Sequence, residues 1–152
     1  MCGFCGFTGD IADRENVIIG MMNKIIHRGP DSAGTHSDED VTMGFRRLSI
    51  IGLEDGSQPM YNEDGSIVIC FNGEIYNYQP IKEMLIEKGH VFKSHADTEV
   101  LIHLYEEKGE EMLNDLRGMF AFAIYDMKNK KLFAARDFFG IKPFYYGVFN
   151  NH

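Results

Sequence analysis

The sequence has no long apolar run. A membrane-crossing helix needs about 18 or more consecutive apolar residues, and no stretch comes near that length, so no membrane association is expected. Runs of Lys and Arg are missing too. With 15 basic against 23 acidic residues and a net charge of −8, the chain lacks the basic patch that phosphate backbones require, which excludes nucleic acid as a partner. The opening MCGFCGFTGD carries no cationic flank of the kind a secretory signal needs, so a cytoplasmic location is expected. Cysteine is scarce: the three thiols, Cys2, Cys5 and Cys70, are an odd set and too sparse for a disulfide framework, so each is read as reduced and free to react. No internal repeat, Gly/Ser linker or Pro-rich segment divides the chain.

What is present fits one soluble globular domain over residues 1–152. Hydrophobic residues make up 44% and charged residues 25%, and a chain of this length buries roughly two-thirds of the surface exposed when it is unfolded. Apolar residues at three- and four-residue spacing predict three helices. Ile18, Met21, Met22, Ile25 and Ile26 form one stripe after an Asp13 cap. Ile81, Met84 and Leu85 form another, between Pro80 and Gly89, and Val100, Leu101, Leu104 and Tyr105 a third, closed by Gly109. A short fourth helix is expected from Glu110 to Leu116. Strand-like runs cover Gly3 to Thr8, Val41 to Phe45, Ile67 to Phe71, His90 to Lys93, Met119 to Tyr125, Lys131 to Ala135 and Phe144 to Phe149. Polar stretches at residues 38–40 and 62–65 read as loop tips, and residues 126–130 as the turn of an antiparallel hairpin. Clustered strands, without strict strand–helix alternation, point to an α+β fold.

Position gives Cys2 a chemical meaning. If Met1 is removed, Cys2 carries a free α-amine with a reference pKa of about 7.7–8.0, able to take the proton from its own thiol. Gly3 then allows close approach of backbone and substrate. Asn72-Gly73 has two readings: a two-residue hairpin turn, or a side-chain amide and a backbone N–H aimed together at a developing oxyanion. Arg28-Gly29-Pro30-Asp31 reads as a helix-ending turn. Arg47 can grip a carboxylate through two parallel hydrogen bonds, or form a surface ion pair. Asp97 reads as a helix cap, or as the partner of a ligand ammonium. His95, Glu99 and His103 lie four apart, but nothing obvious completes a zinc shell, so no metal is expected. Cys5 and Cys70 sit in apolar strands as structural thiols. Six scattered histidines give no local signature of a Cys–His hydrolase.

Taken in order, MCGFCGF, HRGPDSAG, RRLSIIG, SQPMYN, FNGEIYNY, DTEVLIHLYEEKG, LRGMFAFAIYD and ARDFFGIKPFYYG resemble the successive motifs of class II glutamine amidotransferase domains, most closely the asparagine synthetase version. The match runs from Cys2 to about Gly147. The resemblance implies an N-terminal-nucleophile (Ntn) hydrolase fold, a four-layer αββα sandwich with two antiparallel sheets. It implies Cys2 as nucleophile with its freed amine as base, and Asn72 and Gly73 as the oxyanion hole. L-glutamine would be held by Arg47 with the Ile50 and Ile51 backbone at its α-carboxylate, and by Glu74 and Asp97 at its α-ammonium, with Arg28 and Asp31 as supports behind them. In such enzymes the ammonia passes to a synthetase domain, whose Ser-Gly-Gly-x-Asp-Ser loop for ATP is not in this sequence. No cofactor is expected for the glutaminase step, with ATP and Mg confined to that further domain, and a homodimer is compatible with the family. Two alternatives stand beside this reading: a sugar-phosphate or purine-pathway amidotransferase, and a silent glutamine-binding or regulatory module that retains Met1.

Overall fold

The computed structural model describes residues 2–48 and 56–149. β1 (Gly3–Thr8), β2 (Ser32–Ser37) and β3 (Val41–Arg47) form one antiparallel sheet in the order β1-β3-β2. β4 (Met60–Tyr61), β5 (Ile67–Ile75), β6 (Gly118–Asp126) and β7 (Lys131–Arg136) form a second antiparallel sheet in sequence order. Side chains alternate across a strand, so each sheet has two faces to cover.

The inner faces meet. Val41, Met43 and Phe45 of β3 pack on Val68 and Cys70 of β5 and on Ala123 and Tyr125 of β6, with Cys2 and Phe4 at the margin of this cluster. On the outer face of the first sheet, α1 (Arg14–Lys24) packs on β3 and buries Ile18 and Met22. On the outer face of the second, Ile67, Ile69, Phe71, Phe120, Phe122 and Ile124 lie under α2 (Tyr78–Glu87) and α3 (Asp97–Lys108), which contribute Ile81, Leu85, Leu101 and Leu104. This is the four-layer αββα sandwich of Ntn hydrolases, with a two-face core that forces β5 and β6 to be apolar on both sides.

Several elements depart from expectation. His90–Lys93 is not a strand: the amides of Lys93 and Ser94 donate to the Glu99 carboxylate at 2.7 Å each, which leaves them unavailable for a ladder. Phe144–Phe149 pairs with no strand among the described residues, and Tyr145 and Tyr146 are each 89% exposed. The segment expected as a fourth helix is a 3₁₀ stretch over Gly109–Asn114. The Asp13 side chain makes no capping bond to the backbone of α1; its carboxylate instead accepts from Asn16 Nδ2 at 2.8 and 2.9 Å. β2 and β4 were not expected as strands. Among the described residues, no helix is long and apolar enough to cross a membrane.

Candidate active site

Cys2 stands directly before β1 at the edge of the inter-sheet core and is half-buried. Its Sγ accepts from the Leu48 N–H at 3.5 Å and lies 3.8 Å from the Leu48 carbonyl oxygen. The backbone just past β3 therefore fixes the thiol on one side. Arg28 fixes the other, since its Nε donates to the Cys2 carbonyl at 3.1 Å. Arg28 ends a 3₁₀ turn over Ile26–Arg28, and the chain that follows is pressed onto β3: a Cβ on Gly29 would lie 2.4 Å from the Arg46 carbonyl carbon and oxygen. The Asp31 N–H donates to the Arg47 carbonyl at 3.1 Å. Arg28-Gly29-Pro30-Asp31 is thus a clamp that joins the start of β1 to the end of β3, not a cap on its own helix.

Asn72 and Gly73 are not a hairpin turn. They lie inside β5, opposite Ala121 and Phe120 of β6. The close pairing explains the glycine, because a Cβ at Gly73 would meet the Met119 carbonyl oxygen at 2.2 Å. Asn72 is 6% exposed. It lines, together with Gly3, Arg28, Ala134, Phe144 and Tyr146, a cavity of about 1310 Å³ that opens between the two sheets. Gly3, the residue after Cys2, and Asn72 thus border one space.

A separate charged region adjoins Cys2 through Leu48. A Cβ placed on Gly56 would lie 3.7 Å from both an Arg47 guanidinium nitrogen and the Ala96 Cβ, which brings the end of β3 beside the start of α3. Asp97, the first residue of α3, accepts from the Ile75 N–H through Oδ2 at 2.9 Å, and this ties it to the end of β5, next to Glu74. Burial pushes the Asp97 carboxyl above its ordinary pKa and the negative charge of Glu74 adds to the push, although backbone N–H bonds work against both. Two carboxylates near each other, one of them the half-buried Asp97, make a place where a cation is stabilised. Arg47, Glu74 and Asp97 are thus gathered into one neighbourhood. Ile50 and Ile51, like Met1, lie outside the described residues.

One supporting residue carried no signal of its own in the sequence. Gln58, within the SQPMYN motif, donates from Nε2 to the Phe71 carbonyl at 3.1 Å and accepts from the Phe71 N–H through Oε1 at 2.6 Å. Of the remaining thiols, Cys70 is buried, and burial raises the pKa of both: Cys5 to about 11, Cys70 further still.

The glutamine amidotransferase domain family matches residues 1–152, the full chain. The chain is 49% identical over 156 aligned positions to asparagine synthetase [glutamine-hydrolyzing] 1 of Bacillus subtilis, covering 99% of this chain and 25% of that protein. It is 48% identical to asparagine synthetase [glutamine-hydrolyzing] 2 of the same organism, covering 96% and 20%, and 44% identical to asparagine synthetase [glutamine-hydrolyzing] 2 of Arabidopsis thaliana, covering 97% and 26%. The chain therefore spans about a quarter of the length of these relatives. Among solved structures, glutamine phosphoribosylpyrophosphate amidotransferase of B. subtilis, in complex with ADP and GMP, superposes with a TM-score of 0.68 at 20% identity, over 84% of this chain and 35% of that one, a likeness of fold. With the ordered motifs, the two stacked sheets and the thiol at the head of β1, this chain belongs to the glutamine amidotransferase domain family.

Proposed function

We propose that the chain hydrolyses L-glutamine to glutamate and ammonia through a thioester on Cys2. The observation that carries the reading is the position of Cys2, held between the Leu48 backbone and Arg28 at the start of β1, with the next residue, Gly3, lining a cavity that Asn72 also lines. Once Met1 is removed, the α-amine of Cys2 takes the thiol proton. The thiolate attacks the side-chain carboxamide carbon, and the S–C bond forms as the carbonyl electrons move to oxygen. Asn72 Nδ2 and the Gly73 N–H stabilise that oxyanion. The C–N bond then breaks, and ammonia leaves with the proton returned by the amine. Water attacks the glutamyl thioester, the amine takes its proton, and the C–S bond breaks to restore the thiol.

Arg47 binds the α-carboxylate, and Glu74 and Asp97 the α-ammonium, which meets the need of a paired, partly buried carboxylate set for a cation. Ile50 and Ile51 would add backbone contacts to the carboxylate. Arg28 and Asp31 act behind the site by holding Cys2 and Arg47. The reaction needs no cofactor and no metal.

The names of the relatives and their greater length support a further step, in which the ammonia feeds asparagine synthesis by a synthetase domain of a longer protein; the motif resemblance adds that this step converts aspartate with ATP and Mg in the cytoplasm. The row of exposed Phe138, Phe139, Tyr145, Tyr146 and Phe149 offers apolar surface against which such a domain can pack. A homodimer is part of the same reading.

An electrophilic glutamine analogue, read by peptide mass spectrometry, tests the nucleophile. The label is expected on an N-terminal Cys2 peptide that has lost Met1, and Cys2→Ala is expected to take up none while keeping its fold. A label on Cys5 or Cys70, or ammonia release by Cys2→Ala at the full rate, would overturn the assignment.

A further inference from the structure

The helical layer holds a group of imidazoles and carboxylates that the hydrolysis does not use. It lies on the outer face of the second sheet, whereas Cys2 packs at the inner face. Three elements converge there: the β4–β5 turn brings Glu63, the chain after α2 brings His90, and α3 brings His103 and Glu106. One ligand atom from each of Glu63, His90 and His103 lies within 4.8 Å of the others. The sequence pattern had suggested His95, Glu99 and His103 as the trio to weigh, but His95 is exposed and falls outside this group.

The orientation of both rings is informative. His103 is 1% exposed, and its Nδ1 lies 2.9 Å from Glu106 Oε2 and 3.6 Å from Glu63 Oε2. His90 turns its Nδ1 towards the same Glu106 oxygen at 3.7 Å, and the two ring centroids are 4.8 Å apart. The Nε2 atoms point outward, each to a different carboxylate: His90 Nε2 to Glu107 Oε1 at 3.2 Å, and His103 Nε2 to Glu99 Oε1 at 3.8 Å. Glu99 is held rigidly by the Lys93 and Ser94 amides and the Ser94 hydroxyl, and Glu107 is held by Lys88. The His90–Glu107 bond matches the arrangement in which a carboxylate orients a metal-bound histidine by accepting from its outer N–H, and at His103 the Glu99 carboxylate stands on the same side, beyond hydrogen-bond reach.

One ring atom is left over: His103 Nδ1 shares the 2.9 Å bond with Glu106, whereas its Nε2 is buried, has no hydrogen-bond partner and stands 3.8 Å from the Glu99 carboxylate. A cation held on Nδ1 places the N–H on Nε2, on the side of Glu99. The local charge agrees, because Glu63, Glu99, Glu106 and Glu107 surround the two imidazoles, against Lys88 on Glu107 and the more distant Lys128, which is itself paired with Asp64.

We propose that His90, His103 and Glu63, completed by Glu106, form a binding site for a divalent transition-metal ion of the zinc class. Two imidazole nitrogens with carboxylate oxygens suit zinc, whereas magnesium and calcium prefer oxygen-only shells. Zinc–ligand bonds of about 2.0–2.2 Å require the donor atoms to draw closer than they stand here, a movement that the exposed Glu63 and Glu106 can make. Such an ion would pin the β4–β5 turn to the α2–α3 connection.

The test is titration of the purified Cys2→Ala protein with zinc chloride in a calorimeter, with thermal unfolding in parallel and Co2+ as a spectroscopic probe. The Cys2→Ala background removes the thiol at the head of β1, one of the two that are not buried. Expected are one zinc per chain, a rise in Tm with zinc and not with magnesium, and the visible bands of tetrahedral Co2+. Glu63→Gln and His90→Gln, both away from the fully buried core, should each weaken zinc affinity at least tenfold without lowering the Tm of the metal-free protein. The proposal is overturned by the lack of stoichiometric zinc binding, or by zinc affinity that survives in the Glu63→Gln/His90→Gln double variant. It is equally overturned by oxygen-type six-coordinate Co2+ spectra.

Discussion

Gln58 completes the hydrogen bonding of Phe71: one amide side chain satisfies both the N–H and the C=O of a residue at the outer edge of β5. β4 is only two residues long and pairs with Val68 and Ile69, so it ends before it reaches Phe71. Gln58 extends that edge by one position, next to Asn72.

Gln58→Ala would leave two buried backbone groups unsatisfied, each at a cost of roughly 1–3 kcal/mol. Urea unfolding should show a loss of a few kcal/mol, and kcat should fall because the adjacent Asn72 loses its frame. Unchanged stability would mean that water or a neighbour replaces the side chain.

Asn72→Ala removes one of two proposed oxyanion donors, and losses of this kind cost on the order of a hundredfold in kcat. Steady-state ammonia release should show that fall with little change in KM. A raised KM alone would make Asn72 a binder of ground-state substrate.

Arg47→Ala is expected to act on binding first. Loss of a charge-assisted pair costs roughly 1.5–3 kcal/mol, so KM for glutamine should rise roughly tenfold to a hundredfold. An unchanged KM would remove Arg47 from the site.

Asp97→Asn separates function from stability. The carboxyl of Asp97 is raised from its ordinary value of 3.8 by burial and by Glu74. The native state therefore binds more protons than the unfolded state between 3.8 and the raised value, and stability falls as pH rises through that window. At pH 7 the asparagine variant should melt no lower than the native protein, and the two Tm values should converge near pH 3. Glutamine binding should be lost at neutral pH. A Tm at pH 7 well below the native one would show that the ionised carboxylate stabilises the fold without a ligand.

Desolvation should keep Cys5 and Cys70 unreactive. With its pKa at about 11, Cys5 is thiolate to about one part in a thousand at pH 8. Iodoacetamide at pH 8 should modify Cys2 well before Cys5, and Cys70 only on unfolding. Equal rates would mean that β1 opens readily.

The parts of the fold with regular apolar spacing were legible. The stripes Ile81/Leu85 and Leu101/Leu104 turned inward as expected, and Gly89 and Gly109 follow α2 and α3 at positive φ. β2 was hidden because Ser32–Ser37 is small and polar, with only His36 buried, and takes its strand form from pairing with β3. Local pattern left Asn72-Gly73 open between a turn and a donor pair, and the decisive fact against the turn is the carbonyl of Met119 beside Gly73, which no local pattern reports. The same limit applied to the imidazoles, where the four-residue spacing of His95, Glu99 and His103 led to no metal being expected, while the fold brings His90 and Glu63 to His103 from elsewhere.

Asn72 and Gly73 belong to a nine-residue strand matched position by position with β6. Donors built into such a ladder are aimed when the protein folds, and the entropy of aiming them is not charged to each encounter with glutamine. Tuning this centre towards other amides should accordingly proceed through the segments that surround the strand, because moving the strand itself would unzip the sheet.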